Sequence, residues 1–309
     1  MSKLSFPPLI RNISRVYQGK VRDSHEIPGH PDLLLIIATS RVSTHNVIHL
    51  NSIPYKNQVL TALTIFWLKH LFEQAGIPHH LVAYGREIYK YLPGSRSDYP
   101  DDLHLYAIIV KKLTIIPIEF IFRSYMAGSL WKGYLKDGKN PYGLNLESGL
   151  QLMSPFDPPL FTPTEKSEKD DPVTVAYVES AHPEASALAA RAFNQIREYL
   201  LVHHIELVDS KFEIGFDIVG KLYVADEIST PDSSRFTDLH KIKRGREPVW
   251  LDKQPLRDEA EKVWGDGPKK PLLFSSSAVQ QTSARYLDIF QRITRQSLED
   301  FQEQSMSRN

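Results

Sequence analysis

Charged residues alternate along one predicted strand, and the partner strand ends in two further carboxylates. Asp209, Lys211 and Glu213 occupy every second position, so their side chains project from the same face of the strand. A predicted hairpin would bring Asp226 and Glu227, at the end of the partner strand, close to Glu213. Mg²⁺ commonly takes one or two carboxylates together with phosphate oxygens. Glu213 and Asp226 are therefore the predicted metal ligands; the alternative is a solvent-facing hairpin with cross-strand ion pairs.

Another segment, QGKVR at 18–22, places a glycine directly before two cationic side chains. On a strand, Lys20 and Arg22 would lie on the same face, where both could bind the oxygens of a polyphosphate. The alternative is a solvated cationic face, because short runs with glycine and lysine are frequent. The sequence lacks the Walker A, Rossmann glycine and protein-kinase catalytic-loop motifs, so a nucleotide site here must be of another kind.

An apolar strand at 118–126 carries Arg123 near its end and is followed by the sequence AGS. A guanidinium can form two parallel hydrogen bonds to an anion, and Ser129 would lie at the glycine-opened start of a helix, where anions also bind. We interpret Arg123 and Ser129 as an anion site, with an ordinary strand-to-helix connection as the alternative. The segment PDSSR adds turn hydroxyls, including that of Ser234, and the guanidinium of Arg235, which also suit an anion.

Nucleophilic and metal chemistry of other kinds has little support in the sequence. The chain contains no cysteine, which excludes thiolate metal ligands, disulfides and a cysteine nucleophile. The adjacent histidine pairs at 79–80 and 203–204 are typical of surface residues, because sequence neighbours on a helix do not face each other. No convincing Ser-His-acid set is present. The basic run at 241–246 is interpreted as a solvated loop.

The elements that must position these residues are short strands and helices. Apolar runs bounded by turn signals predict strands, and a 3.6-residue apolar period predicts helices. Strands are predicted at 33–39, 106–113, 118–126, 205–208, 212–218 and 221–228, and helices at 58–74, 184–201 and 278–301. The segment 137–171, rich in proline, glycine and charge, is predicted to be a surface loop. This order of elements predicts an α+β fold.

Length and charge narrow the classes of function. At about 150 residues per domain, the 309 residues predict two lobes. We expect a β-rich N-terminal lobe at 1–115 and a mixed lobe at 116–309 that carries the terminal helices.

Lysine plus arginine and aspartate plus glutamate both number 37, and this neutral balance disfavours a nucleic-acid partner. No apolar run reaches the roughly 18 residues of a membrane span and no signal peptide is evident, so we expect a cytoplasmic protein without a membrane partner.

Six motifs resemble, in order, those of one enzyme family. They are GKVRD, KNQVLTALTIFWL, PIEFIFRSYMAGSLWKGY, FTPTEKSEKDDP, LVDSKFEIGF and ADEISTPDSSRF. The sequence from Tyr17 to Phe236 is similar to the phosphoribosylaminoimidazole-succinocarboxamide synthases, the SAICAR synthetase family of purine biosynthesis. The resemblance implies a two-lobed SAICAR-synthase-like fold with an ATP cleft between the lobes. It also implies an ATP- and Mg²⁺-dependent ligase that joins a carboxyaminoimidazole ribonucleotide to aspartate.

The same resemblance implies roles for individual residues. Those implied to bind ATP are Gly19, Lys20, Arg22, Lys211, Glu213 and Asp226, of which Glu213 and Asp226 would also hold Mg²⁺. Those implied to bind the substrates are Arg41, Ser43, Arg123, Ser129, Lys166, Asp171, Ser234 and Arg235. The residues nearest the chemistry would be Lys211, Asp209 and Asp232. The base that deprotonates the amine is left open among Asp171, Asp209 and Asp232. The partners would be the imidazole ribonucleotide and aspartate, with the oligomeric state open.

One segment departs from the family pattern. After the strand at 33–39 the family usually reads S-D-R-x-S-A-F-D, whereas this chain reads TSRVSTHN. Arg41 and Ser43 remain, but Ser40 stands in place of the first aspartate and His45–Asn46 in place of Phe-Asp. Two carboxylates are therefore absent from a segment that could select substrates by charge. A paralogous ligase acting on a different amine or carboxylate is for this reason the principal alternative.

The implied reaction needs no protein nucleophile. ATP would phosphorylate the carboxylate to an acyl phosphate, and the amine would then attack the carbonyl carbon and expel phosphate. The protein would position the reactants and neutralise charge with Lys20, Arg22, Lys211 and Mg²⁺. A small-molecule kinase, which would phosphorylate a hydroxyl, and a non-catalytic nucleotide-binding module are the remaining alternatives.

Overall fold

The computed structural model describes residues 13–137, 140–167 and 169–307, which form the mixed α+β structure that the sequence predicts. The chain divides into two compact units. The first unit comprises 1–66, 80–112 and 252–309, and the second comprises 67–79 and 113–251. No helix within the described ranges is long and apolar enough to cross a membrane.

Strands and helices follow one another along both units. The strands are β1 (Arg15–Gln18), β2 (Arg22–Ile27), β3 (His30–Ala38), β4 (Arg41–Thr44), β5 (Val47–Ser52), β6 (Leu81–Tyr84), β7 (Ala107–Lys111), β8 (Thr114–Ile115), β9 (Ile118–Tyr125), β10 (Pro155–Phe161), β11 (Thr164–Glu165), β12 (Ile205–Phe216), β13 (Leu222–Ala225) and β14 (Ser234–Asp238). The α-helices are α1 (Lys56–Phe66), α2 (Glu73–Ala75), α3 (Gly128–Asp137), α4 (Val175–Ala181), α5 (Pro183–Val202), α6 (Gln254–Trp264), α7 (Ser276–Thr294) and α8 (Leu298–Phe301).

The first unit contains an antiparallel five-stranded sheet in the order β1-β2-β3-β7-β6. Its inner strands β3 and β7 come from apolar runs, and Leu35, Ile37 and Ile109 lie in the core of the unit. Strand β2 is hydrogen-bonded to β1 on one side and to β3 on the other, and the turn that joins β1 to β2 lies at the end of this paired strand. This turn carries the sequence GKV at 19–21.

The hairpin β4–β5 lies outside that sheet and packs against helices from the C-terminal part of the chain. Val42 and Ile53 of the hairpin region form one apolar cluster with Leu256 of α6 and Ala278 of α7. The backbone N–H of Leu50 also donates to the carbonyl of Leu272 at 2.9 Å. Helices α6 and α7 therefore support the hairpin that carries the divergent segment 39–46.

The second unit contains an antiparallel seven-stranded sheet. Its main order is β10-β9-β12-β13, with β11 paired to β9, and both β8 and β14 paired to β12. One face of the sheet is apolar and packs on α5, where the Phe193 ring lies 5.5 Å from that of Phe122 and 6.5 Å from that of Phe212. Because side chains alternate along a strand, the opposite face of β9 and β12 receives the charged residues.

Helix breaks account for two differences from the predicted elements. The helix predicted at 58–74 is α1, a π-helical segment at Trp67–Phe72, and α2, which Gly76 ends in a left-handed conformation with φ 63°. The helix predicted at 278–301 is interrupted by Arg295, also left-handed with φ 61°. After the interruption, the Ser297 hydroxyl accepts a hydrogen bond from the Asp300 N–H and caps α8.

Two predicted strand and loop assignments also change. The strands predicted at 205–208 and 212–218 are one strand, β12, because the polar residues between them continue the ladder with β9, and Asp209 there is paired with Arg123 of β9 and Arg235 of β14. The predicted loop at 137–171 contains strands β10 and β11. Three prolines in β10 hid its strand character, and they are tolerated because β10 lies at the end of the main strand order, where proline removes few ladder hydrogen bonds.

The two compact units group the chain differently from the predicted lobes. Residues 252–309 were assigned to the second lobe, but they belong to the first unit. One reason is a contact of α7, whose Ser283 hydroxyl donates to the carbonyl of Pro54 at 3.0 Å, two residues before α1 begins. Sequence order alone could not indicate this return of the chain to its N-terminal elements.

Candidate active site

The glycine-bearing turn of the first unit is closed by its own backbone. The N–H of Gly19 donates to the carbonyl of Arg22 at 2.7 Å, and a Cβ atom at position 19 would lie only 2.8 Å from that oxygen. Glycine is therefore required there by close approach. Lys20 lies in the turn, while Arg22 begins β2, so the two cations do not occupy one strand face as the sequence pattern predicted. Lys20 is exposed and Arg22 is half-buried.

Arg41, the first residue of β4, forms hydrogen bonds with the backbone of this turn. Its guanidinium donates to the carbonyl oxygens of Gly19, at 3.1 Å, and Lys20, at 3.3 Å, and it also forms a 2.6 Å ion pair with Asp23. Asp23 is 1% exposed, so this pair is shielded from water. The described contacts of Arg41 thus position the turn, whereas its predicted role as a substrate ligand stays a prediction. Ser43, two residues along β4, is half-buried.

In the second unit, Arg123 is the centre of a buried polar network. Its Nε donates to the Thr162 hydroxyl at 2.9 Å, its Nη1 to Asp209 at 2.7 Å, and its Nη2 to the Ser129 hydroxyl at 2.9 Å. The side chain is 4% exposed. Strand register explains the meeting of two of these groups, because Arg123 on β9 is paired directly with Asp209 on β12. The predicted neighbours Arg123 and Ser129 are therefore in contact.

Arg235 joins the same carboxylate from the other side. It is paired with Asp209 across β14 and β12, and its Nη1 donates to the same Oδ2 atom that accepts from Arg123. Its guanidinium lies 5.9 Å from the ring centre of Trp250 and packs closely on Gly128, where any Cβ atom would overlap it. Arg235 is 21% exposed, so it is the more accessible of the two guanidinium groups.

A second charged cluster lies further along β12. The Nζ of Lys211 donates to Glu119 at 3.0 Å and to Glu213 at 3.1 Å. Lys166 donates to the other carboxylate oxygen of Glu213. The register pairs Glu213 with Ala225, so Asp226 follows at the same end of the hairpin, in a left-handed conformation with φ 65°.

The charges of this cluster fix the protonation state of Lys211. Burial lowers its pKa, but the carboxylates of Glu213, Glu119 and Asp226 outweigh burial and hold the pKa well above the usual value of a lysine. Lys211 therefore remains a cation at neutral pH and cannot accept a proton from an attacking amine. The carboxylates of Glu119, Glu213 and Asp226 thus lie around the Lys211 ammonium group, and Lys166 pairs with Glu213 as well.

The acidic side chains of this cluster could hold a divalent cation such as Mg²⁺ only if phosphate oxygens of a bound ligand completed its coordination. Across the described residues, no cluster of three or more His, Cys, Asp or Glu side chains could hold a metal ion alone. One or two carboxylates are nevertheless the oxygen donors that Mg²⁺ commonly takes from a protein when phosphates complete its coordination. Glu213 and Asp226 therefore fit such an ion chemically.

The other predicted site residues, Ser234, Asp232 and Asp171, each form hydrogen bonds of their own. Ser234 is 2% exposed, and its hydroxyl forms a 2.8 Å hydrogen bond with that of Ser210. Asp232 lies half-buried in the turn before β14, where its N–H donates to the Thr230 hydroxyl at 3.2 Å. Asp171 is exposed, and its carbonyl accepts from the N–H of Glu165 at 2.8 Å.

Two residues of these networks were missed by the sequence reasoning. Glu119 lies four positions before Arg123 on β9, so the alternation that identified the charged face of β12 could also have found it. Thr162 lies between β10 and β11, in the segment predicted to be loop, and no sequence signal indicated that its hydroxyl would accept from Arg123.

Known proteins are similar to this chain over most of its length. The family model for SAICAR synthetase matches residues 15–271. A phosphoribosylaminoimidazole-succinocarboxamide synthase of Desulfotalea psychrophila is 34% identical over 304 residues, which cover 95% of this chain and 98% of that protein. The Saccharomyces cerevisiae protein with the same description is 36% identical over 295 residues, covering 90% and 94%. A solved structure described as SAICAR-synthase from Saccharomyces cerevisiae complexed SAICAR matches with a TM-score of 0.81 and 32% identity, covering 94% of this chain and 97% of that chain.

These matches extend through both units and define the protein as an enzyme of the ligase class. The chain belongs to the SAICAR synthetase family. The family and the α+β fold class expected from the six motifs are thereby confirmed.

Proposed function

We propose that this protein joins the carboxylate of carboxyaminoimidazole ribonucleotide to the amine of L-aspartate, with ATP converted to ADP and phosphate. The product would be SAICAR, an intermediate of purine biosynthesis. The observation that carries this proposal is the similarity of nearly the whole chain to phosphoribosylaminoimidazole-succinocarboxamide synthases. The related yeast structure is described as a complex with SAICAR, which agrees with the product proposed here.

The chemistry divides into two steps. An oxygen of the ribonucleotide carboxylate attacks the γ-phosphorus of ATP, ADP leaves, and an acyl phosphate forms. The amine of aspartate then attacks the carbonyl carbon, its nitrogen loses a proton, and phosphate leaves. Phosphoryl transfer depends mainly on positioning and charge stabilisation, so the chain needs no covalent nucleophile.

Lys211 would stabilise the charge of the transferring phosphoryl group. Its pKa is held well above the usual lysine value, despite burial, by the carboxylates of Glu213, Glu119 and Asp226, so it serves as a permanent cation and not as a base. Lys20 and Arg22 would bind other phosphate oxygens of ATP, since Lys20 lies in the tightly closed turn that begins at Gly19 and Arg22 directly follows it.

Glu213 and Asp226 would hold Mg²⁺ with the nucleotide. When bound, the ion would offset negative charge on the phosphate oxygens. Lys166 and Lys211 now donate to Glu213, so these ammonium groups would shift toward the phosphates as the carboxylate takes up the cation.

The Arg123 network would support the phosphate site for the ribonucleotide. Arg235 is the more exposed guanidinium and would contact the phosphate with Ser129, while buried Arg123 would hold Asp209 and Ser129 in place. Asp209 already accepts from both guanidinium groups, which makes it a positioning residue in this proposal. Asp171 and Asp232 then remain the candidates for the base that accepts the amine proton.

The test is an ADP-release assay on the purified chain with Mg²⁺, ATP, the ribonucleotide and L-aspartate, coupled to mass spectrometry of the product. We expect one SAICAR per ADP, and amide formation that requires both substrates. A stable phosphoester would instead indicate a kinase, and an amide formed with another amine but not with aspartate would indicate a paralogous ligase. Lys211→Met serves as the inactive variant. Lys221→Met is its matched control, because Lys221 is exposed and lies 5.5 Å from the ring of Tyr223.

A further inference from the structure

The tip of the hairpin β4–β5 has a fixed backbone. His45 and Asn46 form the two-residue connection between the strands, and both have positive φ angles, 49° and 65°. A two-residue turn with two left-handed residues matches the twist of an antiparallel hairpin, and asparagine and histidine adopt this conformation more readily than most residues. The side chains of His45 and Asn46 are therefore presented in defined directions.

One of these side chains contacts the glycine-bearing turn. The Oδ1 of Asn46 accepts a hydrogen bond from the Nζ of Lys20 at 2.7 Å. Arg41, at the start of the same hairpin, holds the carbonyls of Gly19 and Lys20. The hairpin thus contacts both the backbone of the turn and the ammonium group that the turn presents.

The other side chain ties the tip to α6. The Nε2 of His45 lies 3.0 Å from the Oε1 of Glu261, and the His45 ring meets that of Trp264 edge-on, with 5.6 Å between the ring centres. Glu261 and Trp264 are both in the last turn of α6. A continuous series of contacts therefore runs from α6 through the tip to Lys20.

The partner of Lys20 is a neutral amide. A carboxylate at position 46 would attract the ammonium more strongly and would repel a phosphate approaching it, since like charges a few ångströms apart interact unfavourably even near a protein surface. An amide oxygen orients the ammonium group without cancelling its charge. Lys20 is thereby held in one direction and retains its full charge for an anionic ligand.

We infer that Asn46 is a positioning residue that orients Lys20 toward the phosphates of ATP, and that the contact of His45 with Glu261 fixes Asn46 in place. The inference rests on the proposed function. It identifies a residue that would affect ATP binding, and this residue lies in the segment 39–46, where the chain departs from its family. Because the divergent segment then acts on ATP binding, its sequence need not change the choice of amine.

The test is a double-variant cycle on the full chain. The dissociation constant of ATP-Mg²⁺ is measured by isothermal titration calorimetry, and the KM values of ATP and ribonucleotide by the ADP-release assay. Asn46→Ala should weaken ATP binding by about three- to tenfold and leave the ribonucleotide KM within about twofold. In a Lys20→Ala background the same substitution should have almost no further effect, because residues that act through one contact are not additive.

Two further variants separate orientation from folding. Glu261→Gln should weaken ATP binding by about twofold, because it loosens the tip without touching Lys20. Glu259→Gln, on the same helix, is the matched control: Glu259 instead accepts from the N–H and hydroxyl of Ser275, so ATP binding should not change. Asn46→Asp should weaken ATP binding although it preserves the contact, which a purely structural role would not produce.

Each contrary result has one meaning. An Asn46→Ala protein that melts at a lower temperature but binds ATP normally would overturn the inference, as would an equal loss of affinity with and without Lys20. If the unaltered chain does not bind ATP at all, the proposed function fails, and the inference with it. If it binds ATP and turns over while these variants behave normally, the inference alone fails.

Discussion

In the first unit, the ammonium group of Lys20 donates to the neutral amide of Asn46, whereas in the second unit that of Lys211 lies among carboxylates. Lys20 is exposed and donates to Asn46 at 2.7 Å. Lys211 donates to both Glu119 and Glu213, and Asp226 adds a further negative charge to its surroundings. The same ammonium group is thus presented in two different electrostatic settings.

The difference indicates a division of tasks. The amide of Asn46 orients Lys20 without balancing its charge, so a phosphate bound as proposed would meet an ammonium group that is not held by a carboxylate there. The carboxylates around Lys211 hold its pKa well above the usual lysine value, and a phosphate bound as proposed would compete with them for the ammonium group. Loss of Lys211 also leaves Glu119 without its described cationic partner and Glu213 with Lys166 alone, so its removal should have the larger effect.

The strongest test of this comparison is Lys211→Met. It removes the cation while keeping much of the side-chain volume, and kcat should fall by about 10³-fold or more, because charge stabilisation in phosphoryl transfer is lost. The ADP-release assay measures the effect, and a thermal melt establishes that the variant is folded. Lys221→Met should retain full activity. Turnover of Lys211→Met within tenfold of the parent chain would show that the carboxylate cluster is structural.

Asp226→Asn tests the acidic side of the same cluster. The substitution keeps the shape but removes one charge, so kcat should fall by about 10²-fold and the Mg²⁺ concentration for half-maximal rate should rise. Rates are measured over a Mg²⁺ titration at fixed ATP. Asp217→Asn, near the turn of the same hairpin, is the control, because Asp217 accepts from the N–H groups of Val219 and Lys221. Near-normal turnover of Asp226→Asn at low Mg²⁺ would favour a purely structural hairpin.

Arg123→Lys asks whether the anion site depends on geometry or on charge. The guanidinium of Arg123 donates in three directions, to Thr162, Asp209 and Ser129, which a single ammonium cannot reproduce. We expect the ribonucleotide KM to rise by about 30-fold and the ATP KM to change by less than about threefold. A thermal melt is needed alongside, since the pair with Asp209 is buried. An effect confined to ATP would reassign Arg123 to nucleotide binding.

Most of the fold was accessible from local sequence patterns. Apolar runs and helical periods located β3, β7, β9, α1 and α5, because many of their side chains are apolar and buried. The prolines of β10 and the left-handed break at Arg295 depend on edge position and capping, which periodicity does not encode. The grouping of 252–309 with the first unit depends on tertiary packing and had no local signal.

The site residues that share one strand could be predicted from the sequence, because side chains at every second position of a strand lie on the same face. Asp209, Lys211 and Glu213 were found because charge at every second position of a strand is costly unless the strand face has partners. The partners themselves belong to other elements: Arg123 pairs with Asp209 only because β9 and β12 are adjacent in the sheet. Lys20 was assigned to a strand face, but close approach at Gly19 places it in a turn.

Lys20→Ala tests the first unit in the same way that Lys211→Met tests the second. Removing the ammonium should raise the ATP KM, or lower kcat, by about tenfold or more, which corresponds to about 1.4 kcal/mol. The effect should be smaller than that of Lys211→Met, because Asn46 is neutral and no carboxylate loses its described partner. Unchanged ATP kinetics would remove Lys20 from the nucleotide site. Lys69→Ala, which breaks an exposed helical ion pair with Glu73, is the control for loss of a surface lysine.

The smallest expected effect concerns aspartate. Ser40→Asp combined with Asn46→Asp restores the two carboxylates of the family pattern in the segment that otherwise reads TSRVSTHN. If this segment selected the amine by charge, restoration should raise kcat/KM for aspartate many-fold. The contact of Asn46 with Lys20 and that of His45 with Glu261 point instead to the glycine-bearing turn and α6. We therefore expect kcat/KM for aspartate to change by less than about twofold at saturating ATP, while the ATP KM rises because a carboxylate now competes for Lys20. Steady-state kinetics with each substrate varied in turn distinguish the two results. A large gain for aspartate would mean that the natural chain is tuned for another amine and would favour the paralogous ligase.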